Sequence, residues 1–295
     1  MIELKDRVAV VTGAAGGLGR CYALLLAQYG ARVIVNDIGD GAAKLADEIT
    51  AAGGTARAVQ CSVTDPAAVQ AMIAETVGHW GRIDILINNA GILRDKSFAK
   101  ISLEDFRLVL EVNLMGSVIC TKAVWEVMRE QKYGRVVMAT SSSGLYGNFG
   151  QSNYSAAKLG LVGLMQTLAI EGAKYNIRVN AIAPTAATPL TAGILSPEQL
   201  RFLPPEYVAP GVLALVGDDA PTRSILCAGG GGFEAANITL TKGIYVDGDP
   251  PPAEEVSARW AGVIDRAGEI VPEYGFKQSE IELTKASQGV GKIKA

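Results

Sequence analysis

A glycine-rich turn near the N-terminus constrains the fold of this chain more than any other feature. A β-branched run at 8–12 leads directly into residues 13–19, which contain four glycines, and an apolar stretch at 20–29 follows. Glycine lets the backbone approach a pyrophosphate closely, and the start of the next helix offers free N–H groups and a positive dipole end. The order of strand, glycine turn and helix therefore predicts a dinucleotide-binding unit.

An acidic residue stands where such a unit would use one. A second predicted strand, 32–36, ends at Asp37, roughly 20 residues beyond the turn, as the fingerprint expects. The Asp37 carboxylate can accept hydrogen bonds from both ribose hydroxyls and would repel a 2′-phosphate, and Ile38 brings no compensating cation. The sequence thus favours NAD over NADP. The alternative is that Asp37 only forms a turn before Gly39.

The rest of the chain alternates between strand-like and helix-like segments. The strand candidates are 8–12, 32–36, 56–60, 83–88, 134–140, 177–182 and 223–228. The clearest helical candidates are 66–78, 103–131 and 152–174. Because the strand-like runs are apolar throughout, the sheet is expected to be covered on both faces. The predicted fold class is α/β, a Rossmann-type doubly wound parallel sheet that binds its cofactor at the carboxyl ends of the strands.

One catalytic domain is predicted over residues 1–248, with a C-terminal helical extension over 249–295. A run of three prolines opens that extension, and residues 253–266 and 278–286 have the spacing of amphipathic helices. The extension is expected to pack on the same domain or on a dimer partner. The irregular stretch 190–222 is expected to form a lid over the substrate.

Tyr154 and Lys158 are four residues apart, and residues at this spacing share one face of a helix. A phenol with a pKa near ~10 exchanges protons poorly at neutral pH, and a cation beside it favours the phenolate by an amount on the order of 4 kcal/mol before desolvation. Ser141 precedes them and can hold the oxygen whose proton Tyr154 transfers. A surface Tyr and Lys on an ordinary helix is the alternative, and the glycine turn argues against it.

Together these motifs resemble the short-chain dehydrogenase/reductase family. Residues 12–19 resemble its Thr-Gly-x-x-x-Gly-x-Gly signature, and residues 88–91 resemble its Asn-Asn-Ala-Gly signature. The resemblance implies a catalytic tetrad of Asn113, Ser141, Tyr154 and Lys158. In the family, the asparagine lets a water reach the lysine and complete a proton relay.

The resemblance also implies a set of contacts to NAD, distributed over the carboxyl ends of the strands. These residues are Gly13, Gly17, Leu18, Gly19, Asp37, Ser62, Val63, Asn89, Ala90, Gly91, Tyr154, Lys158, Pro184 and Thr188. Ser62 departs from the family, which usually has an Asp beside adenine, so one contact to the exocyclic amine is lost. Thr185 replaces the glycine of the family's Pro-Gly motif, and Thr188 can hold the nicotinamide carboxamide.

Residues 91–99 and 146–158 resemble, more narrowly, the (3R)-hydroxyacyl-CoA dehydrogenases of peroxisomal multifunctional enzymes and their stand-alone bacterial relatives. This implies NAD-dependent oxidation of (3R)-3-hydroxyacyl-CoA esters in the β-oxidation of fatty acids or sterol side chains. Candidate cations for the phosphates of CoA are Arg94, Lys96 and Lys100, although a solvated basic loop is an equally good interpretation. Candidate apolar residues for the acyl part, all of which also suit a core, are Phe149, Leu190, Ile194, Leu195 and Phe202.

Composition argues against several other classes. The net charge of −3 gives no basic field for nucleic acid. The four cysteines lack paired spacing, so neither a metal site nor disulfides are expected. His79, the sole histidine, is not expected to be catalytic. With a polar N-terminus, no apolar run of ~20 residues and no peroxisomal Ser-Lys-Leu ending, the expectation is a cytoplasmic enzyme without a membrane span.

Other functions remain open. The chain can be an NAD-dependent dehydrogenase for a hydroxysteroid or another secondary alcohol, whereas Asp37 argues against a biosynthetic 3-oxoacyl-carrier-protein reductase that draws on NADP. A non-catalytic NAD-binding regulator and an interaction module using helix 103–131 are further alternatives. Because family members commonly dimerise through this helix and the one that carries Tyr154, a homodimer is expected, with a tetramer left open.

Overall fold

The computed structural model describes residues 3–188 and 196–293, with side chains described as far as residue 288. Within these residues one sheet is formed by β1 Val8–Thr12, β2 Arg32–Asp37, β3 Thr55–Gln60, β4 Ile85–Asn88, β5 Gly134–Ala139, β6 Ile177–Thr185, β7 Ile225–Gly229 and β8 Gly232–Ala236. The strand order is β3-β2-β1-β4-β5-β6-β7-β8, and only β7 and β8 pair antiparallel. The predicted Rossmann-type doubly wound sheet is confirmed.

Helices connect the strands and cover the sheet. In the first compact unit they are α1 Gly17–Gln28, α2 Gly41–Ala51, α3 Pro66–Trp80, α4 Leu103–Leu110, α5 Gly116–Glu130, α6 Ser142–Tyr146, α7 Ser152–Gly172, α8 Pro197–Leu200 and α9 Ala209–Val216. Short 3₁₀ turns occur at Ala173–Tyr175 and Pro205–Tyr207. The segment predicted as one helix over 103–131 contains a π-helical turn, Glu111–Met115, between α4 and α5.

The sheet is buried on both sides because alternate residues of its central strands face two separate apolar layers. In β1, Ala9 and Val11 pack in one layer with α1, α2 and α9, whereas Val8 and Val10 pack in the other with α3, α5 and α7. All residues of β1, β4 and β5 are buried. Burial on both faces explains why these strands read as unbroken apolar runs in the sequence.

The strand order reverses between β1 and β4, at the carboxyl ends of the parallel strands. β1 pairs with β2 on one side and with β4 on the other. The chain therefore leaves the two neighbouring strands in opposite directions, which opens a crevice beyond their carboxyl ends. The glycine turn follows β1, and the Asn-Asn-Ala-Gly segment begins at the last residue of β4.

The hairpin of β7 and β8 was not predicted. Four consecutive glycines occupy 229–232, and Gly229 and Gly232 are strand ends that pair with each other. Gly230 and Gly231 form the turn with φ values of +58° and +84°. Positive φ at both central residues matches the twist of a tight hairpin and favours glycine.

The C-terminal part forms a second compact unit, Asn237–Ala295, after the unit Met1–Ala236. This unit begins before the predicted boundary at 248 and includes residues 237–248. Leu240 and Ile270 exchange two backbone hydrogen bonds of 2.8 and 3.0 Å. This unit contains α10 Ala253–Ala258, α11 Trp260–Val263 and α12 Phe276–Ile293, and none of its described side chains is fully buried. Its predicted packing on the catalytic domain or on a partner stays a prediction.

The predicted lid, 190–222, lies partly outside the described residues, which leave out 189–195. The last part of that range contains α9, and the lid itself stays a prediction. Helix α9 buries Val212 and Val216 in the core layer that contains α1. Its run of apolar residues therefore reflects core packing rather than a substrate groove.

By length and composition, one described segment, Leu103–Glu130, is able to cross a membrane, although no such run was expected from the sequence. The criterion is weak, because core helices of soluble proteins satisfy it as well. In this chain the segment packs against α3 and α7 and contains a fully buried asparagine, Asn113.

Candidate active site

The glycine turn is held against the chain that follows β4. Thr12 Oγ1 accepts hydrogen bonds from the backbone N–H groups of Asn89 (3.0 Å) and Ala90 (3.1 Å). The Asn89 side chain donates in return to the carbonyl oxygens of Thr12 (3.0 Å) and Gly13 (3.1 Å). Gly13 has a φ of +62°, and a Cβ there would lie 2.8 Å from the Ala90 Cα. The approach of the two backbones therefore requires glycine.

Helix α1 begins directly after this turn. Its N-cap, Gly16, makes no side-chain hydrogen bond, and the first turn carries no acidic residue. The first backbone N–H groups of the helix therefore have no partner within the helix. Together with the positive end of the helix dipole, they suit the binding of a phosphate.

A cavity of about 360 Å³ lies beside the turn. The predicted NAD contacts in its lining are Gly13, Gly17, Leu18, Asp37, Ser62, Val63, Asn89, Ala90, Gly91 and Thr188. Lining residues that were not predicted are Gly16, Asn36, Ile38, Cys61, Ile92 and Val112. The predicted contacts outside the lining are Gly19, Tyr154, Lys158 and Pro184. Gly19 instead packs under the turn, and Pro184 belongs to β6.

The acidic side of the cavity is formed by Asp37. Its Oδ2 accepts from the Ala15 backbone N–H (3.0 Å), and its Oδ1 accepts from the Gly39 N–H (3.1 Å). The carboxylate is therefore held in place at the end of β2 while it lines the cavity. None of the described lining residues is a lysine or an arginine. A ribose with free hydroxyls fits this environment, and a 2′-phosphate is opposed by the carboxylate.

Beside Asp37, the ends of β2 and β3 carry polar groups that do not replace the missing family aspartate. The Ser62 hydroxyl is bonded to the Thr64 hydroxyl (2.8 Å) and accepts from the Thr64 N–H (3.2 Å). The Asn36 side chain donates to the carbonyl oxygen of Cys61 (3.1 Å). Its Oδ1 is buried without a hydrogen-bond partner in the described chain. An unpaired polar acceptor at the wall is consistent with a cavity made for a polar ligand.

Three members of the predicted tetrad meet where β5 ends. Ser141 is the N-cap of α6, and its hydroxyl lies near enough to the phenol of Tyr154 on α7 to lower the pKa of that phenol. Lys158 Nζ lies 5.4 Å from the centre of the Tyr154 ring and donates to the Ala139 carbonyl oxygen (2.7 Å). Thr140 Oγ1 donates to the Lys158 carbonyl (2.6 Å), which joins α7 to the end of the strand.

The fourth member, Asn113, reaches the same place from the π-helical turn. Its Nδ2 donates to the carbonyl oxygens of Ile92 and Val109, each at 3.0 Å. Its Oδ1 is buried without a partner among the described residues. A Cβ on Gly91 would collide with this oxygen and would lie 3.6 Å from Lys158 Nζ. Asn113 and Lys158 therefore border one small space, and Gly91 keeps that space open.

Burial controls the ionisation of the central pair. Burial raises the pKa of Tyr154 to about 12, against the opposing hydrogen bond with Ser141 and with a smaller contribution from Asp95. Burial also lowers the pKa of Lys158 to about 8. The expected lowering of the Tyr154 pKa by Lys158 is therefore not found, because desolvation of the phenol outweighs the contact with Ser141 that favours the phenolate.

The predicted CoA cations are exposed, and two of them share one carboxylate. Lys96 Nζ lies 3.0 Å from Asp105 Oδ2, and Arg94 Nε lies 3.9 Å from Asp105 Oδ1. Lys100 is exposed on the same loop. His79 is on the surface in α3, 3.5 Å from Glu75.

The predicted acyl contacts are only partly described. Phe149 and Phe202 are 90% and 72% exposed, so neither belongs to the core. Leu190, Ile194 and Leu195 lie outside the described residues. Thr185 ends β6, and a Cβ on Gly229 would lie 2.8 Å from its carbonyl oxygen, so Thr185 shapes the strand end.

Several polar residues near the pair were not anticipated. Gln151 and Asn153 are buried on either side of Ser152 and bond to the loop after β4. Thr12 belongs to the glycine-turn signature, but the role of its hydroxyl as the hydrogen-bonding centre of the turn was not anticipated. The only sequence signal for Gln151 and Asn153 was their position inside the string 146–158.

Comparison with known proteins agrees with this geometry. The family model described as short chain dehydrogenase matches residues 7–198. A short-chain type dehydrogenase/reductase of Mycobacterium tuberculosis is 48% identical over 288 residues, which cover 94% of this chain and all of that protein. The peroxisomal multifunctional enzyme type 2 of Drosophila melanogaster is 46% identical over 307 residues, which cover 98% of this chain and 51% of that enzyme. The chain thus spans about half the length of the fly enzyme.

Solved structures give the same relationships. The full-length fly enzyme superposes with a TM-score of 0.82 and 38% identity, covering 97% of this chain and 50% of that one. A 7α-hydroxysteroid dehydrogenase, solved with NADH and 7-oxo glycochenodeoxycholic acid, superposes with a TM-score of 0.72 and 31% identity, covering 78% of this chain and 95% of that one.

The close packing of the glycine turn predicts different effects for two glycines of the same loop. A Cβ at Gly19 would collide with the Gly13 carbonyl and lie 2.6 Å from Asn89 Nδ2, whereas a Cβ at Gly16 meets nothing within 4 Å. We expect Gly19→Ala to lower the free energy of unfolding by at least about 2 kcal/mol and Gly16→Ala to lower it by less than about 1 kcal/mol. Urea unfolding of the two variants checks this, and equal losses would contradict the packing.

The buried lysine predicts a pH-dependent stability. Because the pKa of Lys158 is about 8 in the folded protein and about 10.4 when unfolded, the unfolded state binds more protons between these values. The stability contribution of Lys158 therefore rises with pH. Relative to Lys158→Met, the wild type should gain about 2 kcal/mol between pH 8 and 10. Urea unfolding at several pH values measures this. If the difference in the free energy of unfolding between the two proteins does not change with pH, the pKa of Lys158 is not lowered in the folded protein.

Proposed function

Because the chain belongs to the short-chain dehydrogenase/reductase family, we propose that it is an NAD-dependent dehydrogenase that oxidises (3R)-3-hydroxyacyl-CoA esters to 3-oxoacyl-CoA. The observation that carries the dehydrogenase chemistry is the meeting of Tyr154, Ser141 and Lys158 next to a cavity that Asp37 lines. The acyl-CoA substrate is supported by the strings 91–99 and 146–158 and by the similarity to the multifunctional enzyme.

The residues that line the cavity and those beside it suit the parts of NAD. The N-terminus of α1 would hold the pyrophosphate, Asp37 the adenosine ribose, and Lys158 the nicotinamide ribose. When bound there, NAD supplies the acceptor for the hydride that leaves C3 of the substrate. The solved relative that contains NADH supports the same cofactor.

The chain's own residues handle the proton. The Ser141 hydroxyl would hold the C3 oxygen of the substrate, and Tyr154 would take its proton as the general base. Lys158, when protonated, stabilises the phenolate that this step needs. Asn113 borders the space beside Lys158, where a water would pass the proton outward. Most of the rate effect would come from positioning and from fixed charges.

A second candidate is oxidation of a hydroxysteroid or another secondary alcohol. The similarity to 7α-hydroxysteroid dehydrogenase favours it. The catalytic groups are the same in both cases, so the substrate side of the site distinguishes them. For either substrate we propose a cytoplasmic homodimer.

A panel of alcohols decides between the two candidates. NADH absorbance is followed with NAD and matched (3R)- and (3S)-3-hydroxyacyl-CoA esters, from short chains to steroid side chains, and with free hydroxysteroids. We expect turnover only with the 3R esters. Tyr154→Phe should reduce it by roughly 10²- to 10⁴-fold with little change in NAD affinity, and Tyr175→Phe, at a surface position bonded to Arg129, serves as the control.

Activity confined to free hydroxysteroids would overturn the acyl-CoA assignment and leave the dehydrogenase intact. An equal loss of NAD affinity and turnover in Tyr154→Phe would contradict the role of Tyr154 as the base.

The acidic side of the cavity predicts the cofactor preference. The wild type should favour NAD over NADP by at least roughly 100-fold in kcat/KM, because a 2′-phosphate meets the Asp37 carboxylate and no cation. In the double variant Asp37→Ser, Ile38→Arg, the preference should reverse. Ile38→Arg alone is the matched control, and it should keep the preference for NAD because the carboxylate remains. A wild type that uses both cofactors equally would remove Asp37 from this role.

A further inference from the structure

We propose that Asp95, acting through Gln151 and Ser143, is a positioning residue that holds the start of α6, and with it Ser141, in place beside Tyr154. The proposal rests on the proposed function only in taking Tyr154 as the proton acceptor. It concerns residues that lie beside the pair rather than residues that touch the reacting atoms.

The central residue is Gln151, which is only 4% exposed. Its Nε2 donates to Asp95 Oδ2 at 2.7 Å. Its Oε1 accepts from Ser143 Oγ at 2.7 Å and from Asn148 Nδ2 at 3.0 Å. One buried amide therefore joins the loop after β4 to helix α6 and to the segment that precedes α7.

The carboxylate decides which way this amide points. An ionised Asp95 can only accept, so Nε2 of Gln151 must face it and Oε1 must face Ser143. The Ser143 hydroxyl must then donate to Gln151. The backbone N–H of Ser143 donates to Ser141 Oγ at 3.2 Å, and the Tyr154 phenol lies beside the same hydroxyl, which lowers the pKa of the phenol. Hydrogen bonds thus connect Asp95 through Gln151 and Ser143 to Ser141, beside Tyr154.

Other bonds hold the same two segments together. The Lys96 backbone N–H donates to the Gly150 carbonyl at 2.9 Å. The buried Asn153 donates from Nδ2 to the Arg94 carbonyl at 3.1 Å. Asp95 is therefore held in a clamped loop, and its charge has a defined position relative to the catalytic pair.

The charge of Asp95 also acts directly on the phenol. The charged groups near Tyr154 are Lys158, from its own helix, and Asp95, from the loop after β4. Arg94 and Lys96 flank Asp95 in the chain, but both side chains are directed to Asp105. Within the described residues Asp95 forms no ion pair, and its negative charge raises the pKa of Tyr154.

Two variants separate charge from hydrogen bonding. Asp95→Asn keeps an acceptor for Gln151 and removes the charge, whereas Gln151→Met keeps the shape and removes the hydrogen bonds to Asp95 and Ser143. Asp47→Asn, an exposed carboxylate on α2, is the matched control for charge. All are assayed by kcat against pH with NAD and the alcohol of the panel that the wild type oxidises best.

For Asp95→Asn we expect the acid limb of the kcat profile to move to lower pH by roughly half a unit, because the base loses its proton more readily. Raising the salt concentration should shrink this shift, since Asp95 is exposed. For Gln151→Met we expect kcat to fall roughly 10-fold with the KM for NAD unchanged. Asp47→Asn should match the wild type.

Amide hydrogen exchange of residues 93–100 and 141–151 tests the clamp without turnover. Exchange should be faster in Gln151→Met than in Asp47→Asn. The proposal is overturned if the Asp95→Asn profile superposes on that of the wild type, or if exchange in Gln151→Met equals that of the control. Loss of the acyl-CoA assignment in the substrate panel affects neither result, because the pH profiles use whichever alcohol is oxidised.

Discussion

The contact between the glycine turn and the segment after β4 is the interaction on which the site depends. Thr12 and Gly13 accept four hydrogen bonds from Asn89 and Ala90 across neighbouring strand ends, each worth about 1 kcal/mol net. The bonds bring Gly13 so close to Ala90 that no side chain fits between them. This contact closes one wall of the cavity, and it exists only because β4 pairs directly with β1.

The catalytic pair depends on the same sheet at the next strand. Lys158 is a buried cation, and its Nζ bonds to the carbonyl oxygen of the last residue of β5. Thr140 ties the backbone of α7 to that strand end. A buried charged lysine lowers the free energy of unfolding, as desolvated charged groups in active sites generally do. The apolar burial of β5 along its whole length offsets this loss of stability.

Much of the fold was predictable because it follows from local pattern. Apolar runs, the glycine turn and the alternation of elements specify the doubly wound sheet, and the spacing of Tyr154 and Lys158 specifies their shared face. The π-helical turn at Asn113 was not predictable, because its sequence reads as continuous helix. The hairpin strand β8 was missed because its short run, Gly232–Ala236, follows glycines that also suit a loop.

The electrostatics of the site were less predictable than its membership. The spacing of Tyr154 and Lys158 showed that they would be neighbours but not that both would be desolvated, and desolvation reverses the expected direction of the Tyr154 pKa shift. The hydrogen bonds from Asp95 through Gln151 were unpredictable for the same reason, because they depend on tertiary packing. They join residues 56 positions apart, and their direction follows only once the carboxylate and the amide are seen to meet.

The loop after β4 carries two cations close to Asp95. Arg94 and Lys96 both lie against Asp105, and their side chains are 49% and 53% exposed. Exposed ion pairs of this kind contribute roughly 0–1 kcal/mol, whereas a phosphate offers guanidinium and ammonium groups stronger, charge-assisted hydrogen bonds. A phosphate approaching the loop would therefore meet two cations that a single carboxylate holds only weakly. Asp95 would keep its hydrogen bond with Gln151. Arg94 and Lys96 could therefore exchange Asp105 for a phosphate without disturbing the contacts that position Ser141 and Tyr154.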